Sequence, residues 1–222
     1  MSDRARGWPV AKEGLPFCAG AAACWAGALA LGWTGLGTVV GAGALFTAWF
    51  FRNPSRSVPQ APDLVVSPGD GRVLAVMEED EPRFLKERAV RVSIFLSPLN
   101  VHINRIPCEG TVTAMAHFPG KFLVASSAGA TLENEQTAVL IETDKGYRVL
   151  CVQVAGYVAR RIVTWLIPGE RVARGERYGL IRFGSRMDVY LPVNTELKVR
   201  VGDQVRGGES VIGVLPRDAR TG

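Results

Sequence analysis

Gly169-Glu170-Arg171-Val172-Ala173-Arg174-Gly175-Glu176 returns 33 residues later as Gly202-Asp203-Gln204-Val205-Arg206-Gly207-Gly208-Glu209. Both read Gly-acid-x-Val-x-x-Gly-Glu, and self-similarity at a fixed offset marks a repeated architecture. Glycine takes φ > 0 without a Cβ clash, so each copy predicts a tight corner between short strands. Two unrelated glycine hairpins would leave the same trace, and the sequence leaves that alternative open. Outward from the corners, short β-branched runs alternate with Gly, Pro and Asp turns, at 71–77, 89–96, 110–117, 137–142, 147–154, 180–183 and 195–201. Spacing of this kind predicts an all-β sandwich or barrel. Helical periodicity is weak in this part of the chain, and 156–165 is the best candidate for a short helix.

The doubled corner resembles the turns of biotinyl/lipoyl-type barrel-sandwich folds. The fold class expected is therefore mainly β, a barrel-sandwich (biotinyl/lipoyl-like) domain preceded by an N-terminal transmembrane helical hairpin. No lysine occupies the tip of either corner, so a swinging-arm carrier has no attachment residue. The hairpin is read from residues 14–51, a stretch of 38 residues without Asp, Glu, Lys, Arg or His. A bilayer core takes about 20 helical residues, so this stretch is too long for one span and fits two short ones, broken near Gly32-Trp33-Thr34-Gly35-Leu36-Gly37. Arg4, Arg6 and Lys12 before it and Arg52 and Arg56 after it put both ends in the cytoplasm by the positive-inside rule. A single tilted span and a cleaved signal peptide are the rival readings; the apolar run is far longer than an h-region of about 7–15 residues. Trp49, Phe50 and Phe51 followed by Arg52 read as an interfacial anchor. The domains expected are a membrane anchor over 1–52, a proline-rich linker over 53–63 and a main domain over 64–222, at the cell membrane with the main domain on the cytoplasmic side.

The net charge of +5 comes from 26 Lys and Arg against 21 Asp and Glu, scattered without an aromatic-interleaved basic run. That pattern speaks against nucleic acid and suits attraction to an anionic lipid surface. Cys18, Cys24, Cys108 and Cys151 form no CxxC pair or metal-ligand spacing, and the chain has only two histidines, so no metal is expected.

Three segments carry the candidate chemistry. They are Val65-Val66-Ser67-Pro68-Gly69-Asp70-Gly71-Arg72-Val73, Phe95-Leu96-Ser97-Pro98-Leu99-Asn100-Val101-His102-Ile103-Asn104-Arg105-Ile106-Pro107, and Leu180-Ile181-Arg182-Phe183-Gly184-Ser185-Arg186-Met187-Asp188. Read singly, Gly184-Ser185 is a turn, Asp70 is a turn aspartate, and His117 in its apolar run is a core or edge residue. In this order, and with Pro119-Gly120-Lys121-Phe122, Glu133-Asn134-Glu135, Gln153-Val154-Ala155-Gly156, Ala159-Arg160-Arg161 and Arg174-Gly175-Glu176-Arg177, they resemble the phosphatidylserine decarboxylase proenzymes. The likeness is to the short-chain form that includes the archaetidylserine decarboxylases, and it runs from about Phe50 to the C-terminus.

The resemblance implies self-cleavage between Gly184 and Ser185, giving fragments 1–184 and 185–222 that are partners of one another. Ser185 would become a pyruvoyl group, the electron sink for decarboxylation through a Schiff base, with no metal and no pyridoxal phosphate. His102 would be the base and Asp70 its orienter. Arg105, Arg160, Arg161 and Arg186 are candidates for holding phosphate or steering the carboxylate. The chain departs from the longer bacterial enzymes in having Arg105 at their second histidine position and Arg186 where they carry Ser or Thr. The substrate implied is phosphatidylserine in the membrane, converted to phosphatidylethanolamine and carbon dioxide. A non-catalytic, membrane-tethered lipoyl-like adaptor is the alternative, and a Ser-His-Asp hydrolase would lack its Gly-x-Ser-x-Gly elbow. The oligomeric state is open, with a homodimer as one reading.

Overall fold

The computed structural model describes residues 9–120, 134–156, 162–181 and 185–216. The chain divides into two compact units, Met1–Ser55 and Arg56–Gly222.

In the first unit, α1 (Leu15–Ala30) and α2 (Thr34–Phe50) form a hairpin that turns at Gly32, where φ is 75°. The helices approach closely, since a Cβ on Gly41 would stand 2.7 Å from Trp25 Nε1 and one on Gly37 2.8 Å from Leu29 Cδ2. Small residues four apart are what let helix backbones come together. The flanking chain closes through Ala11 N–H to Phe51 O at 2.9 Å and Asn53 N–H to Pro9 O at 2.7 Å, and Arg52 lies 3.9 Å from the Trp49 ring centroid. Of the break expected over 32–37, only its first residues form the turn; Thr34 onward already belongs to α2. The expected transmembrane span is corrected: no helix among the described residues is long and apolar enough to cross a membrane. The turn divides the apolar stretch into helices of 16 and 17 residues. At 1.5 Å per residue each reaches about 24–26 Å, short of roughly 30 Å of hydrocarbon.

The second unit is mainly β. Its strands are β1 (Leu64–Val66), β2 (Gly71–Glu81), β3 (Glu87–Leu96), β4 (Ile103–Arg105), β5 (Gly110–Phe118), β6 (Gln136–Glu142), β7 (Arg148–Val154), β8 (Ile162–Thr164), β9 (Arg171–Val172), β10 (Arg177–Ile181), β11 (Ser185–Pro192), β12 (Glu196–Leu197), β13 (Gln204–Val205) and β14 (Val211–Val214). The run at 195–201 shrinks to β12. The short helix expected at 156–165 is corrected where it is described: Ile162–Thr164 is a β-branched strand paired with β10, and 157–161 lie outside the described residues.

An eight-stranded antiparallel sheet runs β13-β2-β3-β11-β7-β6-β5-β9, accompanied by two three-stranded sheets, β1-β14-β12 and β4-β10-β8. The order is palindromic about the β11–β7 pair. Outward from that pair, β3, β2 and β13 repeat as β6, β5 and β9, and the sheet β1-β14-β12 repeats as β4-β10-β8. The sequence echo is the trace of this duplication. Gly169, Gly175, Gly202 and Gly208 have φ values of 85°, 76°, 98° and 79°. The strands they bracket dock alike, Val172 opposite Gly110 and Val205 opposite Gly71. A Cβ on Gly71 would fall 2.1 Å from Phe95 O and one on Gly110 2.3 Å from Glu142 O, so both strand starts need glycine for the same close approach.

The main core lies between the large sheet and the two small ones. Ile94, Val139, Cys151, Met187, Val189 and Leu191 from the large sheet meet Val65, Tyr178, Ile181 and Ile212 from the small sheets. The opposite face of the large sheet carries a smaller cluster with Ala138, Leu150, Val152 and Tyr190, covered by Leu85 and Phe84. On β11, side chains at odd and even positions therefore face different cores.

β11 is held on both sides, from Ser185↔Leu96 to Pro192↔Ala89 along β3 and from Arg186↔Val154 to Tyr190↔Leu150 along β7. A cut before Ser185 leaves this pairing intact. Fragments 1–184 and 185–222 are expected to co-elute in native size-exclusion chromatography and to separate only in denaturant. Loss of the small fragment under native conditions would contradict this register.

Candidate active site

Ser185 opens β11 opposite Leu96 and is fully buried. It shares the face of Met187 and Val189, and its Oγ has no hydrogen-bond partner among the described residues. A hydroxyl stripped of water and left unpaired is costly, and such a group in a native interior points to a task. Gly184, on the other side of the expected scissile bond, lies outside the described residues, as do Arg160 and Arg161.

His102 sits at the entry to β4 and is 4% exposed. Its carbonyl accepts a hydrogen bond from Ile181 N–H at 3.3 Å, the last described residue before the cleavage segment. The antiparallel pairing of β4 with β10, Ile103 opposite Leu180, carries His102 to the same end of the molecule as the start of β11. Sequence reading paired the two residues through the family pattern; the strand register brings their segments to the same end of the second unit. His117, by contrast, is an exposed residue near the end of β5 with Nδ1 3.1 Å from Thr137 Oγ1.

Asp70 lies in the turn before β2, where Gly69 packs on Leu96. Its carboxylate is engaged on both oxygens: Arg56 Nη2 donates to Oδ2 at 2.7 Å, and Gly207 N–H donates to Oδ1 at 2.8 Å. Arg56 also reaches Glu209 Oε2 at 3.3 Å, and Glu209 Oε1 accepts from Ser57 N–H. Asp70 thus ties the start of the second unit and the second glycine corner to the turn next to Leu96, the partner of Ser185. Arg56 was read from sequence only as an inside charge. Its partners are 14 and 153 residues away, and no local pattern could reveal them.

Arg105 and Arg186 are drawn into structural work. Arg105 pairs in register with Arg177, donates from Nη1 to Gly175 O at 2.9 Å and packs beneath Gly208, whose Cβ would stand 2.7 Å from Arg105 Cδ. Burial, with the nearby guanidinium groups of Arg177 and Arg56, brings Arg105 down to about 10. Arg186 falls on the face of β11 opposite to Ser185, where Nη2 donates to Asp188 Oδ2 at 3.0 Å; Arg91 stands 3.9 Å from the same oxygen. Arg186 and Ser185 are adjacent in sequence, and the pleat separates their side chains.

The family model for phosphatidylserine decarboxylase matches residues 44–213. The proenzyme of that name from Symbiobacterium thermophilum is 51% identical over 218 residues, covering 98% of this chain and 100% of the relative. Those from Geotalea daltonii and Nitrosomonas europaea are 48% and 46% identical, covering 93% and 91% of this chain and 96% and 94% of their own lengths. The chain belongs to the phosphatidylserine decarboxylase family. Membership in this family leaves the non-catalytic adaptor reading without support.

Within the decarboxylase frame, the Arg56–Asp70 pair is a testable part of the scaffold, its side chains only 8% and 15% exposed. Removing one partner of a buried pair leaves the other charge uncompensated, at a cost of roughly 3–5 kcal/mol. Arg56→Ala is expected to lower the melting temperature by several degrees, and Arg56→Ala with Asp70→Asn to recover part of the loss in a double-mutant cycle. Equal melting of Arg56→Ala and the parent protein would show that the pair carries no stability.

Proposed function

We propose that this chain is a self-processing, pyruvoyl-dependent decarboxylase that converts phosphatidylserine to phosphatidylethanolamine and carbon dioxide. The observation that carries the reading is Ser185 Oγ, buried and unpaired among the described residues at the first position of a central strand, in a chain whose relatives bear the name phosphatidylserine decarboxylase proenzyme. Ser67 Oγ, buried like Ser185, is by contrast tied to Gly69 O at 2.7 Å.

In the processing step His102 takes the hydroxyl proton as Ser185 Oγ attacks the Gly184 carbonyl carbon. The new C–O bond forms as the peptide C–N bond breaks, and the proton passes to the freed nitrogen. Loss of the Ser185 α-proton and of the Cβ–O bond then releases Gly184 as a carboxylate and leaves a dehydroalanine. Addition of water and loss of ammonia give the ketone. That ketone supplies the electron sink for the carbanion formed when carbon dioxide leaves. The buried setting of Ser185 and His102 gives the reacting end a surrounding drier than bulk water, which favours loss of a carboxylate. Asp70 is assigned the positioning role for this corner through its bonds to Arg56 and Gly207.

The palindromic strand order and the matched glycine corners support a barrel-sandwich description of the second unit. The first unit presents Phe17, Leu31, Trp33, Val39 and Leu45 to its surroundings, a hairpin surface suited to lipid. Insertion of that hairpin into the cytoplasmic face of the cell membrane would hold the decarboxylase beside its substrate and needs no crossing.

Ser185→Ala is expected to give a folded, single-piece protein that releases no carbon dioxide from carboxyl-labelled phosphatidylserine. His102→Ala should slow cleavage by about 10²–10⁴, the usual worth of a general base. Both are read on denaturing gels over time with a parallel carbon dioxide assay. Carbon dioxide release by Ser185→Ala would overturn the pyruvoyl reading.

A further inference from the structure

Two amide side chains join the large sheet to a small one. Gln153 Nε2 on β7 donates to Asn104 Oδ1 on β4 at 2.8 Å, and both residues are fully buried. The bond uses one donor and one acceptor. Gln153 Oε1 and Asn104 Nδ2 remain, buried and without a hydrogen-bond partner among the described residues. Exchanging the oxygen and nitrogen of both amides preserves this count, so one donor and one acceptor are left over in either assignment. An apolar pair of similar size would fill the space without that cost. At Gly179, opposite Asn104, an added Cβ would stand 2.3 Å from Val163 O and 3.2 Å from Gln153 Nε2, so the close approach of β8 and the amide together leave no space for a side chain there.

The pair lies next to the reacting residues. Gln153 is in register with Met187, two residues after Ser185 and on the same face of β11, which makes Ser185 its diagonal neighbour. Asn104 is in register with Gly179, and His102 is two residues before it. Nearby cations are occupied or turned away, Arg105 on Gly175 O and Arg186 on the opposite face.

We propose that the Asn104–Gln153 amide pair is the site that reads the serine head of the substrate, with the Asn104 amide donating to the carboxylate and the Gln153 carbonyl accepting from the amine. The inference rests on the decarboxylase reading of Ser185. An amine and a carboxylate on one carbon present one donor group beside one acceptor group, the complement of what the pair leaves over. A neutral amide orients the carboxylate without the strong ground-state stabilisation that a guanidinium would give it, and only interactions that favour the transition state over the ground state speed the reaction. The ethanolamine head of the product has no carboxylate, so the leftover donor distinguishes substrate from product.

The test is steady-state kinetics in detergent micelles on Asn104→Asp and Gln153→Met, with rates normalised to the cleaved fraction found by intact mass. Asn104→Asp keeps an acceptor for Gln153 and sets a carboxylate against that of the substrate. It is expected to lower kcat/KM for phosphatidylserine by about 10- to 100-fold, the worth of a hydrogen bond to a charged group, while inhibition by phosphatidylethanolamine changes by less than about twofold. Gln153→Met should weaken both lipids, and it decides the matter if Asn104→Asp fails to fold. Unchanged phosphatidylserine kinetics, or equal loss for both lipids in Asn104→Asp, would overturn the proposal, as would a Gln153→Met enzyme with parent-like constants. A parent protein that is never cleaved and releases no carbon dioxide would instead contradict the decarboxylase reading, and the role of the amide pair with it.

Discussion

Strand β11 must do two things at once: complete the large sheet and begin with the residue that is to be modified. Its register on β3 and β7 fixes Ser185 opposite Leu96 before any chemistry occurs. Because the pairing starts at residue 185 itself, breaking the bond on its upstream side costs the sheet none of these pairs. The same register buries the hydroxyl away from water and leaves it unpaired among the described residues. β11 lies beside the axis of the palindromic sheet, paired on one side with β3 and on the other with β7.

Around this strand the polar groups divide by the pleat. Even positions, Arg186, Asp188 and Tyr190, meet Arg91 and Glu79 on the outer face, where Tyr190 Oη donates to Glu79 Oε1 at 3.1 Å and burial pushes its phenol up. Odd positions face the main core, where the thiols of Cys108 and Cys151 are likewise pushed up by burial, Cys108 to about 12, and stay protonated. Among the polar groups of this inner face, Ser185, Asn104 and Gln153 are brought near one another by the register of β11 on β7 and by the Gln153–Asn104 bond, while the Tyr178 hydroxyl is buried in the core itself. An apolar wall with a few converging polar groups is the usual make-up of a small-molecule site.

Much of this was legible in the sequence, for reasons that differ by residue. The glycine corners were readable because φ > 0 constrains residue type locally, and Gly175 and Gly208 fell where the echo put them. Ser185 and His102 were singled out through the family pattern, since each sits in a distinctive segment, and the structure buries both. Arg56 was not, because its partners come from the turn before β2 and from the second glycine corner. The inner-face pairing of Gln153 with Asn104 was equally hidden, as 49 residues separate them and only the packing of two sheets makes them neighbours. The span assigned to the apolar hairpin failed on length, which composition does not report; the Gly32 turn leaves helices too short to cross.

The central claim is that the bond before Ser185 is broken by Ser185 itself. Intact mass spectrometry of the purified, active protein tests it most directly. Two species are predicted, residues 1–184 ending in a free carboxylate and a 38-residue piece from 185–222 that is lighter than a serine-started peptide by one ammonia and closed to Edman degradation. A single full-length species in protein that releases carbon dioxide from phosphatidylserine would contradict the account.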